Sequence, residues 1–249
     1  MSKRKAILHI TIAALLISGA AICALAQSSS SSNGSVKQNA REQATKVVTK
    51  ASAATTTPAE EASYSYEFKK SDFFIRHIVI KHNASGHGEI SFERQGDLEP
   101  IVEPVELSAS AWKRISALWE ALHFLNSNTD YQAEKQFPHL GTMRLGMMKG
   151  TQQRVAEFNW TTDPNARALT EEYRRIGNQA IFIFDITVAR ENQPLNSPKL
   201  LDVLDSYLRR NDLSDPQQLI PLLRELVTDE RLPLMSRNHA ERILKKLEK

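Results

Sequence analysis

The chain predicts an α+β fold: an antiparallel sheet of about five strands with two helices, followed by a C-terminal all-helical extension of three short helices. Three patterns carry this expectation. Two-residue apolar alternation recurs between residues 64 and 160, two stretches of helical period interrupt and follow it, and three prolines punctuate the last fifty-odd residues, each before an amphipathic run. With 249 residues, 41% of them apolar and 24% charged, the composition fits one or two globular domains and excludes wholesale disorder or a polytopic membrane protein.

Tyr64 opens the folded part with aromatic and β-branched density. From Asp72 to His82 the residues Phe73, Phe74, Ile75, Ile78, Val79 and Ile80 are apolar at alternating and at consecutive positions, the pattern of a central strand. After a turn at residues 83–88, Glu89-Ile90-Ser91-Phe92-Glu93 alternates strictly, so this strand is covered on one face only. Ile101 to Leu107 predicts a third strand, and Pro104 pushes it to an edge because proline donates no ladder hydrogen bond. Ser108 or Ser110 caps a helix on which Trp112, Ile115, Leu118, Trp119, Leu122 and Leu125 recur at helical spacing. Met143, Leu145 and Met147 before Lys149-Gly150, and Ala156, Phe158 and Trp160 after it, predict a β-hairpin.

Asp163-Pro164 supplies an N-cap and a proline at the first helical position. Leu169, Tyr173, Ile176, Ala180 and Ile183 then extend a long helix to about Arg190, although Ile181 to Ile186 alone reads equally as a strand. Ser197-Pro198, Asp215-Pro216 and Leu232-Pro233 precede three leucine-striped stretches, which predict three short helices packed on the long one. Fifty-odd residues bury too little surface to stand alone, and their rhythm is similar to two helical solenoid repeats.

The domain reading is therefore a signal segment at 1–26, a tether at 27–62, an α+β domain at 64–190 and a helical extension at 195–249. Lys3, Arg4 and Lys5, the apolar run Ala6 to Leu25, and Ala24-Leu25-Ala26 before Gln27 form a secretory signal pattern. An uncleaved anchor is the rival reading, since about twenty apolar residues just span a bilayer core. Ile22 before Cys23 argues against lipid attachment. Either way the chain is expected to be exported, periplasmic or extracellular, and to meet a membrane only if the signal is retained. The Ser28 to Ser32 run and the Ala/Thr-rich stretch Ala51 to Thr57 read as a disordered tether of about 30 Å end to end.

Removing residues 1–26 takes away three basic residues and no acidic one, leaving 29 of each sign. A neutral body lacks the positive field of a nucleic-acid binder. It also loses the only cysteine, which excludes disulfides, thiolate metal sites and cysteine nucleophiles from the mature chain.

No complete catalytic, cofactor or metal constellation emerges. Ser110-Ala111-Trp112-Lys113 has the Ser-x-x-Lys spacing of penicillin-binding nucleophiles, but Lys-Thr-Gly and Ser-Asp-Asn do not occur, and a helix cap with a solvated lysine is the plainer reading. His77, His82 and His87 recur at five-residue intervals, and the turn between the last two would have to join their imidazoles to make a metal pair. Alternation instead sends His77 and His82 to opposite faces. His123, His139 and His239 are scattered, and packing or capping is the reading for each. Gly141, Gly146 and Gly150 lack the Lys and Ser/Thr of a phosphate loop, having Met147 and Met148 instead, and Gly86 with Gly88 lacks a third glycine, so all are expected to be turn glycines. Asn83-Ala84-Ser85 fits a glycosylation acceptor and marks an exposed turn.

Tyr131, His139-Leu140-Gly141-Thr142 and the stretch from Asn192-Gln193-Pro194-Leu195 to Leu200 resemble exported bacterial proteins of uncharacterised families. Residues 73–175 are also similar to a small secreted domain of unknown function. That likeness lies in a strand pair around a glycine turn, a Trp-bearing helix ending in Phe124-Leu125, a tyrosine near 131 and a hairpin, without the paired cysteines near the first strand. The resemblance implies export and transfers no catalytic residue. The leading expectation is a non-enzymatic binding or interaction module of the bacterial envelope, with an unidentified protein partner held on the short helices. A small periplasmic hydrolase or metal-dependent enzyme around His82 and His87, or Ser110 and Lys113, is the alternative, and a signal-anchored surface protein is the third.

Overall fold

The structure, a computed structural model, describes residues 61–249. The signal segment and nearly all of the tether lie outside the described residues.

Six strands form one antiparallel sheet: β1 (Ser63–Lys69), β2 (Ile75–Asn83), β3 (His87–Arg94), β4 (Ile101–Glu106), β5 (Thr142–Lys149) and β6 (Gln152–Phe158), in spatial order β4-β3-β2-β1-β5-β6. The α+β class holds, and the strand count corrects the expected five. The added strand is Ser-Tyr-Ser-Tyr-Glu-Phe-Lys, the first in the chain, which takes an interior place between β2 and β5. Its inward residues Tyr64, Tyr66 and Phe68 are all aromatic, and a lone aromatic alternation reads as the start of a fold as readily as a strand. Asp72 to Phe74 is a second correction. It belongs to the β1–β2 connection with Phe73 and Phe74 exposed, and β2 begins at Ile75. Pro104 does lie on an edge strand, β4.

Helices α1 (Ala109–Ala121) and α2 (Pro164–Asn192) cover one face of the sheet. Ser108, rather than Ser110, caps α1 by accepting from the Ala111 amide. Asp163 caps α2 by accepting from the amides of Asn165 and Ala166, with Pro164 in the first turn. Ile181 to Ile186 continues α2, where Phe182 and Ile186 are buried at helical spacing. Gln193 before Pro194 leaves the helical region, and the helix ends there. Three helices follow: α3 (Ser197–Arg210), closed by left-handed Asn211, α4 (Ile220–Thr228) and α5 (Leu234–Leu247).

The 29 residues of α2, about 43 Å of helix, serve two cores. Its first half, with Leu169, Tyr173 and Ile176, packs on Tyr66, Ile80, Ile90, Leu145, Ile115 and Trp119. Its second half, with Phe182 and Ile186, packs on Leu201, Leu204, Leu223, Leu226 and Ile243. The other face of the sheet is open. There His77 Nε2 lies 2.9 Å from the Glu67 carboxylate and Nδ1 3.0 Å from that of Glu93, which also accepts from Arg76 at 3.0 Å.

Candidate ligand groove

The histidines expected as a metal pair are separated by the sheet. Gly88 pairs with His82 across β2 and β3, so the preceding His87 faces the opposite side. His87 is exposed beside Ser85 Oγ at 3.1 Å, and its Nε2 lies 3.7 Å from the Glu106 carboxylate. His82 is buried under α1 and α2. Its Nδ1 lies 2.9 Å from the Asn83 carbonyl, which only accepts, so Nδ1 carries the proton and Nε2 accepts from the Tyr173 hydroxyl at 2.8 Å. The Tyr173 oxygen in turn accepts from Trp119 Nε1 at 3.0 Å. Tyr64 stacks on the His82 ring, and Trp112 meets it edge-on. Burial lowers the His82 pKa against the opposing pull of the Asn83 carbonyl, and burial raises that of Tyr173. This closed chain of satisfied donors and acceptors fixes the core.

The other sequence candidates also fall apart in space. Ser110 Oγ donates to Asp215 at 3.1 Å, while Lys113 is exposed on α1. His123 opens a short 3-10 turn in the left-handed region, His139 sits edge-on to Phe137, and His239 Nδ1 lies 3.6 Å from an Asp202 carboxylate oxygen. Among the described residues, no group of three or more His, Cys, Asp and Glu is placed to hold a metal ion. Asn83 Oδ1 accepts from the amides of Ser85 and His87 and from Ser85 Oγ, so the side chain staples its own turn.

Two of the five glycines expected in turns sit inside strands. Gly146 lies in β5, and Gly88 lies in β3, where a Cβ would come within 1.9 Å of the Lys81 carbonyl and 2.8 Å of the His82 Cβ. Glycine there lets β3 close on His82.

A site unmarked in the sequence lies at the other end of β1. Two adjoining cavities of about 510 and 570 Å³ share Tyr66, Phe68, Phe73 and Arg174. Met143, Leu140 and Trp160 extend the wall on one side, and Ile75, Ile78, Ile181 and Tyr207 on the other. Gly141, at φ +86°, lets the turn carrying Leu140 lie against β1, since a Cβ would meet Phe68 at 2.7 Å and the Lys69 carbonyl at 2.9 Å. The volumes lie within the ordinary range for small-molecule sites, and the lining mixes aromatic and aliphatic side chains with polar ones.

Those polar groups are specific. Tyr66 is 4% exposed, its ring stacked flat on Tyr173. Burial pushes its pKa far up while the positive charge of Arg174 opposes the rise, and no hydrogen bond from a described residue reaches its hydroxyl. Arg174 donates to Asp212 at 3.0 Å with its side chain half exposed, and Arg167 lies over the Trp160 ring at 5.3 Å. At the rim Phe73 is 44% and Phe74 65% exposed.

No family model matches this sequence, and no curated protein matches it either. The groove therefore stands on its own geometry. Tyr66 was legible only as part of an aromatic alternation, and nothing in the local sequence marks Arg174 or Trp160, because the three meet through sheet pairing and the docking of α2.

Proposed function

We propose that the protein is an exported, non-enzymatic binding protein whose ligand occupies the groove between β1 and α2. One observation carries this reading: two adjoining cavities, each large enough for a small molecule, share a wall formed by Tyr66, Phe68, Phe73 and Arg174. Export rests on the basic start and apolar run of residues 3–26. The test is uptake of the neutral fluorescent probe N-phenyl-1-naphthylamine. Fluorescence rises with the wild-type protein and falls back with Phe73→Asp, a substitution at an exposed rim position that the fold tolerates. Equal uptake by both, or none by either, removes the groove as the binding site.

A second reading places a protein partner on the helical extension, and a specific patch favours it. The Ser197 and Ser236 hydroxyls meet at 2.8 Å in a buried contact that holds the starts of α3 and α5 together. Beside them Leu195, Leu234 and Met235 are 82%, 62% and 65% exposed. A partner captured from envelope extract by the wild-type protein and lost with Leu234→Ser/Met235→Ser supports this surface. Retention of the same partner by the double variant removes it.

A further inference from the structure

We infer that the groove selects an apolar molecule carrying a single carboxylate, with the carboxylate held between Tyr66 Oη and the Arg174 guanidinium. This rests on the groove being the ligand site and names what it takes. Both groups act as donors. The Tyr66 hydroxyl is kept protonated by burial, and a guanidinium has no acceptor. Both residues line the wall that the two cavities share, so a ligand acceptor placed there can reach both.

Charge sets the sign and the number. Asp212 Oδ1 accepts from Arg174 at 3.0 Å and Oδ2 from Arg210 at 2.8 Å, so one carboxylate is shared by two guanidinium groups. Burial opposes its ionisation, but the hydrogen bonds from Arg210 and Arg174 win and hold its pKa below the usual range. At the rim Asp72 is engaged by Lys70 at 2.7 Å, and Arg167 and Glu171, of opposite charge, both line the first cavity. One positive charge is left over beside Tyr66. A monoanion completes it, whereas a cation is repelled by that charge and a dianion exceeds what two donors and one charge satisfy.

The remaining wall fixes the rest of the molecule. Phe68, Phe73, Met143 and Trp160 on one side, with Ile78 and Ile181 on the other, offer hydrocarbon and aromatic surface on both sides of the Tyr66 and Arg174 wall. A straight-chain or aromatic carboxylic acid places its head at that wall and its body in either lobe.

Displacement of N-phenyl-1-naphthylamine from the full-length protein by decanoate, decanol and decylammonium, at pH 7.5 and below micelle formation, separates this inference from the reading beneath it. Decanoate is expected to displace the probe at a concentration about tenfold lower than decanol, the size of one charge-assisted hydrogen bond, with decylammonium weakest. Arg174→Gln brings decanoate level with decanol, and Tyr66→Phe narrows the gap in part. Equal displacement by decanoate and decanol in the wild type, or a preference untouched by Arg174→Gln, overturns carboxylate recognition and leaves the groove as an apolar site. Absence of probe uptake overturns both.

Discussion

The two cores served by α2 are built from different materials. The sheet-side core is aromatic, with Tyr66, Phe92, Trp119, Phe124, Tyr131, Phe158 and Tyr173 buried, and it contains the His82–Tyr173–Trp119 hydrogen-bond chain. The helical core holds one buried aromatic, Phe182, among leucines and isoleucines such as Leu201, Leu204, Leu219, Leu223, Leu226 and Ile243. Its charged contacts lie around its edge, where Asp229 joins Arg190 and Arg231, and Asp205 joins Lys246. Branched aliphatic side chains interdigitate between helices that run close together and fill the space. Flat rings between a twisted sheet and a straight helix bring large area and polar tips, but they cannot follow the surfaces as these diverge. The groove opens at the Phe68 and Phe73 end of this aromatic layer. The difference teaches that the leucine core supports α2 while the aromatic core supplies the recognition surface.

If α2 welds both cores into one cooperative unit, damage to either is felt by both. Leu223 is fully buried in the helical core, and Leu223→Ala is expected to lower stability by about 3 kcal/mol. Urea unfolding followed by tryptophan fluorescence and by far-UV circular dichroism checks it, since Trp112, Trp119 and Trp160 all precede α2 and report the sheet side. Both signals should shift together, and a shift confined to circular dichroism would break the unit in two. Tyr173→Phe is the mirror experiment. It strands Trp119 Nε1 and His82 Nε2 in the sheet-side core, at a cost of about 2 kcal/mol, again with coincident signals.

A smaller effect sharpens the comparison, because the two cores lose stability in different pH windows. Burial lowers the His82 pKa below its unfolded value of 6.5, so the sheet-side contribution is complete above that value and declines as pH falls through 6.5 toward the folded pKa. Hydrogen bonds from Arg231 and Arg190 hold the Asp229 pKa below its unfolded value of 3.8. The helical-side contribution is therefore present above 3.8 and lost only as pH falls further. Urea midpoints measured from pH 7.5 to 3 should show both declines. His82→Phe removes the first, and Asp229→Asn, itself costing about 1 kcal/mol or less at neutral pH, reduces the second. Asp205 and Asp212, also held down by basic neighbours, keep part of the second decline in place. A midpoint that stays flat from pH 7 to 5 would show that His82 does not link folding to protons.

Much of the fold was legible because its signals are local. Asp163-Pro164 marked the start of α2, Pro198 and Pro233 bracketed α3 and α5, and Lys149-Gly150 marked the β5–β6 turn, where Gly150 has φ +58°. Capping and turn chemistry act within a few residues, so reading them needs no knowledge of the rest of the chain. The strand count was misjudged where local information runs out: Tyr64 to Phe68 alternates correctly, yet its place between β2 and β5 depends on partners far along the sequence.

By itself the sequence determined the α+β class, the caps and breaks of the helices, the edge position of the proline-bearing strand and the opposite facing of His77 and His82. Each follows from a backbone period or a missing hydrogen-bond donor. Only the tertiary structure decided that His82 is buried in a hydrogen-bond chain with Tyr173 and Trp119, and that Tyr66, Phe73, Trp160 and Arg174 surround one space. A groove is the part of a core that packing leaves unfilled, so its residues share no motif, and each has an ordinary role along its own strand, turn or helix.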